Sequence, residues 1–264
     1  MKLRFVYYFY APSNRCFPEI YKYHFACLKR YMNIFDDILI IIAVDDINDR
    51  DLINYVENLF IGFGVYKNIS FKIYKNDLYL REAVAFKNEI VDTLKTSEYL
   101  TFFGHSKGLT NIFSGALKYW VLSMYYFALE DIEEVKKKMI DGLCVFYGFI
   151  IMRGSCVSSK YKWHFPGSMF WINCPHLNME YKDQIPKLGN RSYAEMFPGS
   201  IIDLPSNPKE IHKVDWSGNY FLEGNYNFYE SCPYLLSLSF SKDDYNKFVD
   251  FVNEIDSHIT EYEF

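Results

Sequence analysis

The stretch EYLTFFGHSKG, Glu98 to Gly108, decides how the chain folds. Tyr99 to Phe103 is a short apolar and aromatic run, the length of a buried strand. Gly104 predicts a turn at its end. His105, Ser106 and Lys107 then present an imidazole, a hydroxyl and an ammonium in succession, and Gly108 closes the turn before a helix-period segment. A strand that ends in a polar tripeptide ahead of a helix is where α/β proteins place their chemistry, at the carboxyl ends of parallel strands. Two chemistries compete for these residues. As G-x-S-x-G the stretch is a hydrolase nucleophile elbow with Ser106 as nucleophile. As a cationic strand end it is a phosphate site, with His105 and Lys107 facing a diphosphate. A solvated surface turn is the third reading.

The residues upstream repeat one unit. Leu3 to Tyr10 is β-branched and aromatic and reads as a first strand, followed by the turn-rich Ala11 to Cys16. Pro18 suits a first helical turn, and Glu19 to Phe35 is amphipathic. Ile38 to Val44, ILIIIAV, is a continuous apolar run that ends in Asp45-Asp46, the signature of a buried parallel strand. A helix over Asp49 to Phe60, a strand over Ile69 to Tyr74 and a helix over Arg81 to Lys95 follow. Strands separated by helices predict a repeated βαβ unit and a parallel sheet.

Downstream the pattern changes. Ser114 to Ala128 and Ile132 to Ile140 read as helices, and Leu143 to Met152 as a strand. Ser155 to Trp163 reads as a polar loop. Pro166-Gly167 marks a turn before a strand over Met169 to Ile172. Arg191 to Phe197 is a short helix that stops at Pro198-Gly199, Pro205 to Glu230 is loop-like, and Ser241 to Ile259 is a final amphipathic helix.

Composition sets the limits. The 264 residues carry a net charge of −5, and half are hydrophobic, so one large domain with a sizeable core is expected. Aromatics reach 20%, which follows from stacking surfaces or from biased codon content. Mild acidity argues against nucleic acid as a partner, which calls for a basic face. The six cysteines form no CxxC and no zinc-ligand spacing, which predicts a reduced, cytoplasmic protein. MKLRFVYYFYAP reads as a strand rather than a signal peptide, and no run approaches a membrane span.

The rest of the chain bears on the competing chemistries. An α/β-hydrolase opens with antiparallel strands and carries an oxyanion loop, whereas this chain opens with βαβ and has no HGG-like loop. Asp203 and His212, the available triad partners, are only nine residues apart, which is tight for two separate strand ends. Asp45-Asp46 instead offers acceptors for a nucleobase or ribose. A nucleotide-diphosphate donor would then lie across the strand ends, its base near Ala11 and Asp45 and its diphosphate near His105 and Lys107.

HSKG after the fourth strand, Trp120 in the next helix, FPGSMFW at Phe165 to Trp171 and RSYAEMF at Arg191 to Phe197 occur in an ordered set. That set resembles bacterial and viral glycosyltransferase-like proteins and is similar to the rhamnan-synthesis F family, over about residues 1–200. The resemblance implies a GT-A fold, a Rossmann-like and mostly parallel sheet flanked by helices. It also implies transfer of a sugar from a nucleotide-sugar donor to a saccharide acceptor in polysaccharide or glycan assembly. Residues 1–110 would be the nucleotide-sugar-binding half of a single domain, and residues 111–264 the acceptor half with its C-terminal helix. Many GT-A enzymes place Asp-x-Asp, which holds Mn²⁺ or Mg²⁺, where this chain has His105-Ser106-Lys107; metal dependence is therefore open.

Roles follow from that layout. Gly167, Ser168 and Trp171 form the acceptor side, with Trp171 stacking on a sugar face or lying in the core. His164 and Arg191 are candidate substrate contacts, and Arg153 is a weaker one. Glu195 is the candidate base and Asp203 its runner-up. The alternatives are a hydrolase at Ser106 and a non-catalytic sugar- or nucleotide-binding module.

Overall fold

The structure is a computed structural model. It describes residues 1–64, 66, 68–106, 113–141, 144–153, 163–165, 167–189, 192–201, 212–215 and 240–259. At 150–153, 163–164 and 212–215 the description covers the backbone alone.

The first half alternates strand and helix. The strands are β1 (Lys2–Ala11), β2 (Asp37–Val44), β3 (Ile69–Lys75) and β4 (Tyr99–His105), and they lie parallel in the order β3-β2-β1-β4. The helices are α1 (Ile20–Tyr31), α2 (Arg50–Ile61) and the short α3 (Glu82–Phe86). Every β2 side chain from Ile38 to Val44 is buried, because helices cover both faces. β3 is the edge, and its burial alternates while Lys72 and Lys75 keep it wet.

The second half carries α4 (Gly115–Leu129), α5 (Ile132–Ile140), β5 (Phe146–Arg153), β6 (Trp163–His164), β7 (Phe170–Asn173), α6 (Cys174–Tyr181), α7 (Tyr193–Ile201), β8 (His212–Asp215) and α8 (Lys242–His258). The sheet continues past β4 as β7-β5-β6, with β8 also on β5. β7 runs against both β4 and β5, and β8 is parallel to β5. The architecture is therefore α/β, a mixed and mostly parallel sheet flanked by helices and Rossmann-like in its first half.

Alternation along the strands sorts the two faces. Phe102 and Trp171 stack with Phe35 on the side of α1 and α4. Their neighbours Phe103 and Phe170 meet Phe86 of α3, and Phe86 meets Phe197 of α7. α8 closes the first face, packing Phe248 and Phe251 on Tyr126 and pairing Asp256 with Lys118 at 2.8 Å. Among the described residues, no helix is long and apolar enough to cross a membrane.

Several expectations need correction. Gly104 does not turn the chain; it lies inside β4, where a side chain would meet the Tyr7 ring at 3.3 Å. His105 is accordingly a strand residue. The helix expected over Arg81 to Lys95 is α3 continued by a π-helical turn, Lys87–Val91, and a separate 3₁₀ turn, Leu94–Thr96. The wide turn holds the buried Glu89 toward β3, where Lys72 Nζ and Tyr74 Oη each donate to it at 2.5 Å. α7 runs through Pro198, whose missing N–H leaves the Ala194 carbonyl without its helical donor. β8 lies inside the stretch expected to be loop, and α6 occupies a segment assigned no helix.

Candidate functional site

Chain order creates a crevice. From β1 the chain crosses to β2 on one side and later returns to place β4 on the other. The carboxyl ends of β1 and β4 therefore flank a topological switch point, where open α/β sheets take ligands. Ala11 ends β1, His105 ends β4 and Asp45 follows β2. Because β7 is reversed, its start at Phe170 pairs with Phe103, and the turn before it reaches the same edge.

Asp45 stands exposed at the lip, but its carboxylate is fixed. Tyr10 Oη donates to both oxygens (3.0 and 3.2 Å), Ser13 Oγ to one (3.0 Å) and Asn76 Nδ2 to the other (3.0 Å). Burial pushes this carboxyl up, and the bonds from Asn76, Ser13 and Tyr10 outweigh it, so its pKa lies below the ordinary value. The Tyr10 hydroxyl is pushed up to about 12, by burial first and then by the bond to Asp45. Asp46 faces elsewhere, accepting from the backbone N–H and the side chain of Asn48 at 2.9 and 3.1 Å. The two carboxylates do not converge. Ala11 is fully buried, so only its backbone can reach a ligand.

Ser106 prolongs the ladder. Its N–H donates to the Tyr8 carbonyl (3.0 Å), and its Oγ accepts from the Tyr10 N–H (3.3 Å). It is buried, and its backbone is not left-handed. A nucleophile elbow sets its serine on a sharp, strained turn with an exposed Oγ, and Ser106 has neither feature.

His105 is clamped between two elements. Its Nε2 lies 2.7 Å from the Gly167 carbonyl, which can only accept, so that nitrogen carries the proton. Its Nδ1 lies 4.0 Å from Glu82 Oε1. The Gly167 N–H in turn donates to Glu195 Oε1 at 2.8 Å. The Gly167 peptides are thus held from β4 on one side and from α7 on the other. Gly167 has a φ of 91° and Ser168 a φ of 50°. A side chain at Gly167 would also meet Met124 Sδ at 2.6 Å, with Trp120 beneath at 3.6 Å.

The acceptor-side expectation changes here. Trp171 is fully buried, and its indole N–H donates to the Ala128 carbonyl at 2.8 Å, so it does not face a sugar. Both faces of β7 are covered, which buries Phe170 and Trp171 alike. Ser168 is fully buried too, its Oγ without a partner among the described residues. Trp120 is core at 1% exposure. His164 is placed by its backbone alone, opposite Met152, and Arg153 opposite Trp163. Lys107, Arg191 and Asp203 lie outside the described residues.

The structure thus gathers Asp45, His105, Ser106, Gly167 and Glu195 around one edge. Sequence reasoning missed Tyr10, Ser13, Asn76 and Glu82, which come from β1, the loop after it, the loop after β3 and the start of α3, and carry no spacing signal. The alternating tyrosines of β1, Tyr8 and Tyr10, were the one available hint. No protein-family model matches the chain, and a search of curated proteins finds no match either.

Proposed function

We propose that the protein is a glycosyltransferase with a GT-A-like fold, of the kind its ordered motifs resemble. It moves a sugar from a nucleotide-diphosphate donor to a saccharide acceptor in polysaccharide or glycan assembly. The observation that carries this reading is Asp45: an ionised carboxylate, fixed by three side chains yet exposed, at the lip of the switch-point crevice. Such a group accepts hydrogen bonds from a ribose or nucleobase without reorganising. The donor diphosphate then lies toward His105, Ser106 and Lys107. In transfer, an acceptor oxygen bonds to the anomeric carbon, the bond from that carbon to the diphosphate breaks, and the acceptor proton passes to a carboxylate. Glu195 and Asp203 remain the candidates for that carboxylate, and His164 and Arg191 the candidate substrate contacts. Mn²⁺ or Mg²⁺ on the diphosphate is the cofactor to test. A cytoplasmic setting fits the free thiols of Cys16, Cys27, Cys144 and Cys174.

The test is a thermal-shift panel of UDP-, GDP-, CMP- and dTDP-sugars, with and without manganese. A ligand at a hundred times its Kd stabilises the fold by about 2.7 kcal/mol, so one nucleotide class is expected to raise the melting temperature. No response to any of them, together with labelling of Ser106 by a serine-reactive probe, overturns the reading in favour of the hydrolase. A non-catalytic binding module is the second reading, favoured by the commitment of Glu195 Oε1 to the Gly167 N–H. Donor binding without transfer selects it.

A further inference from the structure

Arg81 ends the turn between β3 and α3, which no motif marks. The turn after β3 is braced by Asp77, whose Oδ1 accepts from the N–H groups of Tyr79 (2.8 Å) and Leu80 (2.7 Å). The Asp77 carbonyl accepts from the Arg81 N–H at 2.8 Å. Arg81 itself has φ 49° and ψ −129°, a conformation that suits glycine. The next residue, Glu82, points inward to His105. The Arg81 side chain is exposed, and among the described residues no ion pair or hydrogen bond holds its guanidinium. The Glu82 contact places the turn that carries Arg81 beside the end of β4, and Arg81 is among the charges that act on the Tyr8 hydroxyl, which burial and then Glu82 push up. Tyr8 is the register partner of His105, at the head of the crevice.

We infer that Arg81 is a ligand-binding residue of this site, its guanidinium taking the phosphate oxygens of a nucleoside diphosphate between β1 and β4. Three observations converge on it: a strained backbone that glycine would relieve, a cation without a partner among the described residues, and a turn held beside the end of β4 by Glu82. A planar guanidinium matches phosphate geometry bidentately, which a solvated lysine does not. Strain of this kind persists where the surrounding structure enforces it, and it concentrates at ligand clamps. The inference rests on the nucleotide-sugar reading and adds a residue to it.

Arg81→Gly separates ligand binding from structure. The substitution relieves the backbone, so the melting temperature should hold or rise by about 2–4 °C. Binding is measured by calorimetry with UDP, GDP, CDP and dTDP, with the matching nucleosides and with inorganic pyrophosphate. The expected result is about ten- to hundredfold weaker binding of the preferred nucleoside diphosphate, the scale of a lost charge-assisted contact, with nucleoside binding unchanged. Arg81→Lys should fall between the two proteins. Wild-type affinity for the diphosphate in Arg81→Gly overturns the role of Arg81 and leaves the donor reading standing. Failure of the wild-type protein to bind any of the diphosphates overturns both.

Discussion

Glu195 offers the sharpest test of the site, because its two possible roles respond oppositely to a single atom. As the proton acceptor in transfer it must ionise, and Glu195→Gln then lowers turnover about 10²–10⁴-fold. As the holder of the Gly167 turn it must only accept a hydrogen bond, and glutamine does that as well. The structure sets the stability scale. Glu195 Oε1 accepts from the Gly167 N–H at 2.8 Å, and Gly167 is buried with its carbonyl already taken by His105. Glu195→Ala leaves that N–H buried and unpartnered, at a cost of about 1–3 kcal/mol. Glu195→Gln exchanges a charged acceptor for a neutral one and should cost about 1 kcal/mol. At about 2–4 °C per kcal/mol for a chain of this size, alanine should lower the melting temperature clearly and glutamine only slightly. The Phe165 N–H to Glu195 carbonyl bond (3.3 Å) survives both changes and keeps the comparison local. The assays are thermal unfolding by circular dichroism and transfer with the donor found in the panel. Wild-type melting of Glu195→Ala would refute the turn-holding role. A hundredfold loss of turnover in Glu195→Gln at wild-type stability would assign Glu195 as the base.

Two further outcomes follow from the packing and the lip. Gly148→Ala places a methyl 2.5 Å from the Phe165 ring, which is buried and stacked on Phe170, so it should lower the unfolding free energy by about 1–3 kcal/mol; an unchanged urea midpoint would refute that packing. The Asp45 pKa is depressed by folding, so its contribution to stability is present above the ordinary value of about 4 and is lost as the pH falls through the lowered one. The Tyr10 pKa is raised to about 12, so its contribution is whole below about pH 10 and is lost as the pH rises toward 12. Urea midpoints against pH should flatten on the acid side in Asp45→Asn and on the alkaline side in Tyr10→Phe, by small amounts because the carboxylate faces solvent; unchanged slopes would dissolve the pair.

What the sequence revealed depended on local signals. The apolar run of β2 and the bounds of α5 were legible because burial on both faces and a 3.6-residue period leave marks in the order of residues. Ser114, Asp131 and Ser241 each cap the helix that follows, accepting from the N–H of Leu117, Glu134 and Asp244. The reversal of β7 was illegible, because a short apolar run carries no direction. Gly104 misled because glycine signals a turn as readily as a close approach, and here the neighbour was Tyr7 from a strand far away in sequence. Asp45 was visible as a residue, but its bonds to Ser13 and Asn76 form only when β1, β2 and β3 lie side by side.

The two edges of the sheet differ in a way that bears on function without reference to any motif. Among the described residues, the left-handed backbone positions are Arg15, Arg81, Gly167 and Ser168. All four lie in loops at the carboxyl edge of β1, β3 and β4, and the described residues of the amino-edge loops contain none. Three of the four are not glycine, and such positions cost about 1–3 kcal/mol each. Each is braced from outside itself. The Pro12 carbonyl takes the Arg15 N–H at 2.9 Å, and Asn14 Oδ1 takes the Cys16 N–H at 3.0 Å. Asp77 ties the turn that ends at Arg81, and His105 and Glu195 clamp Gly167 beside Ser168. Strain left by chance would be shared between the edges, and glycine would remove most of it. Its concentration on the edge that carries the switch point, with side chains committed to holding it, is what a site shaped for a ligand requires.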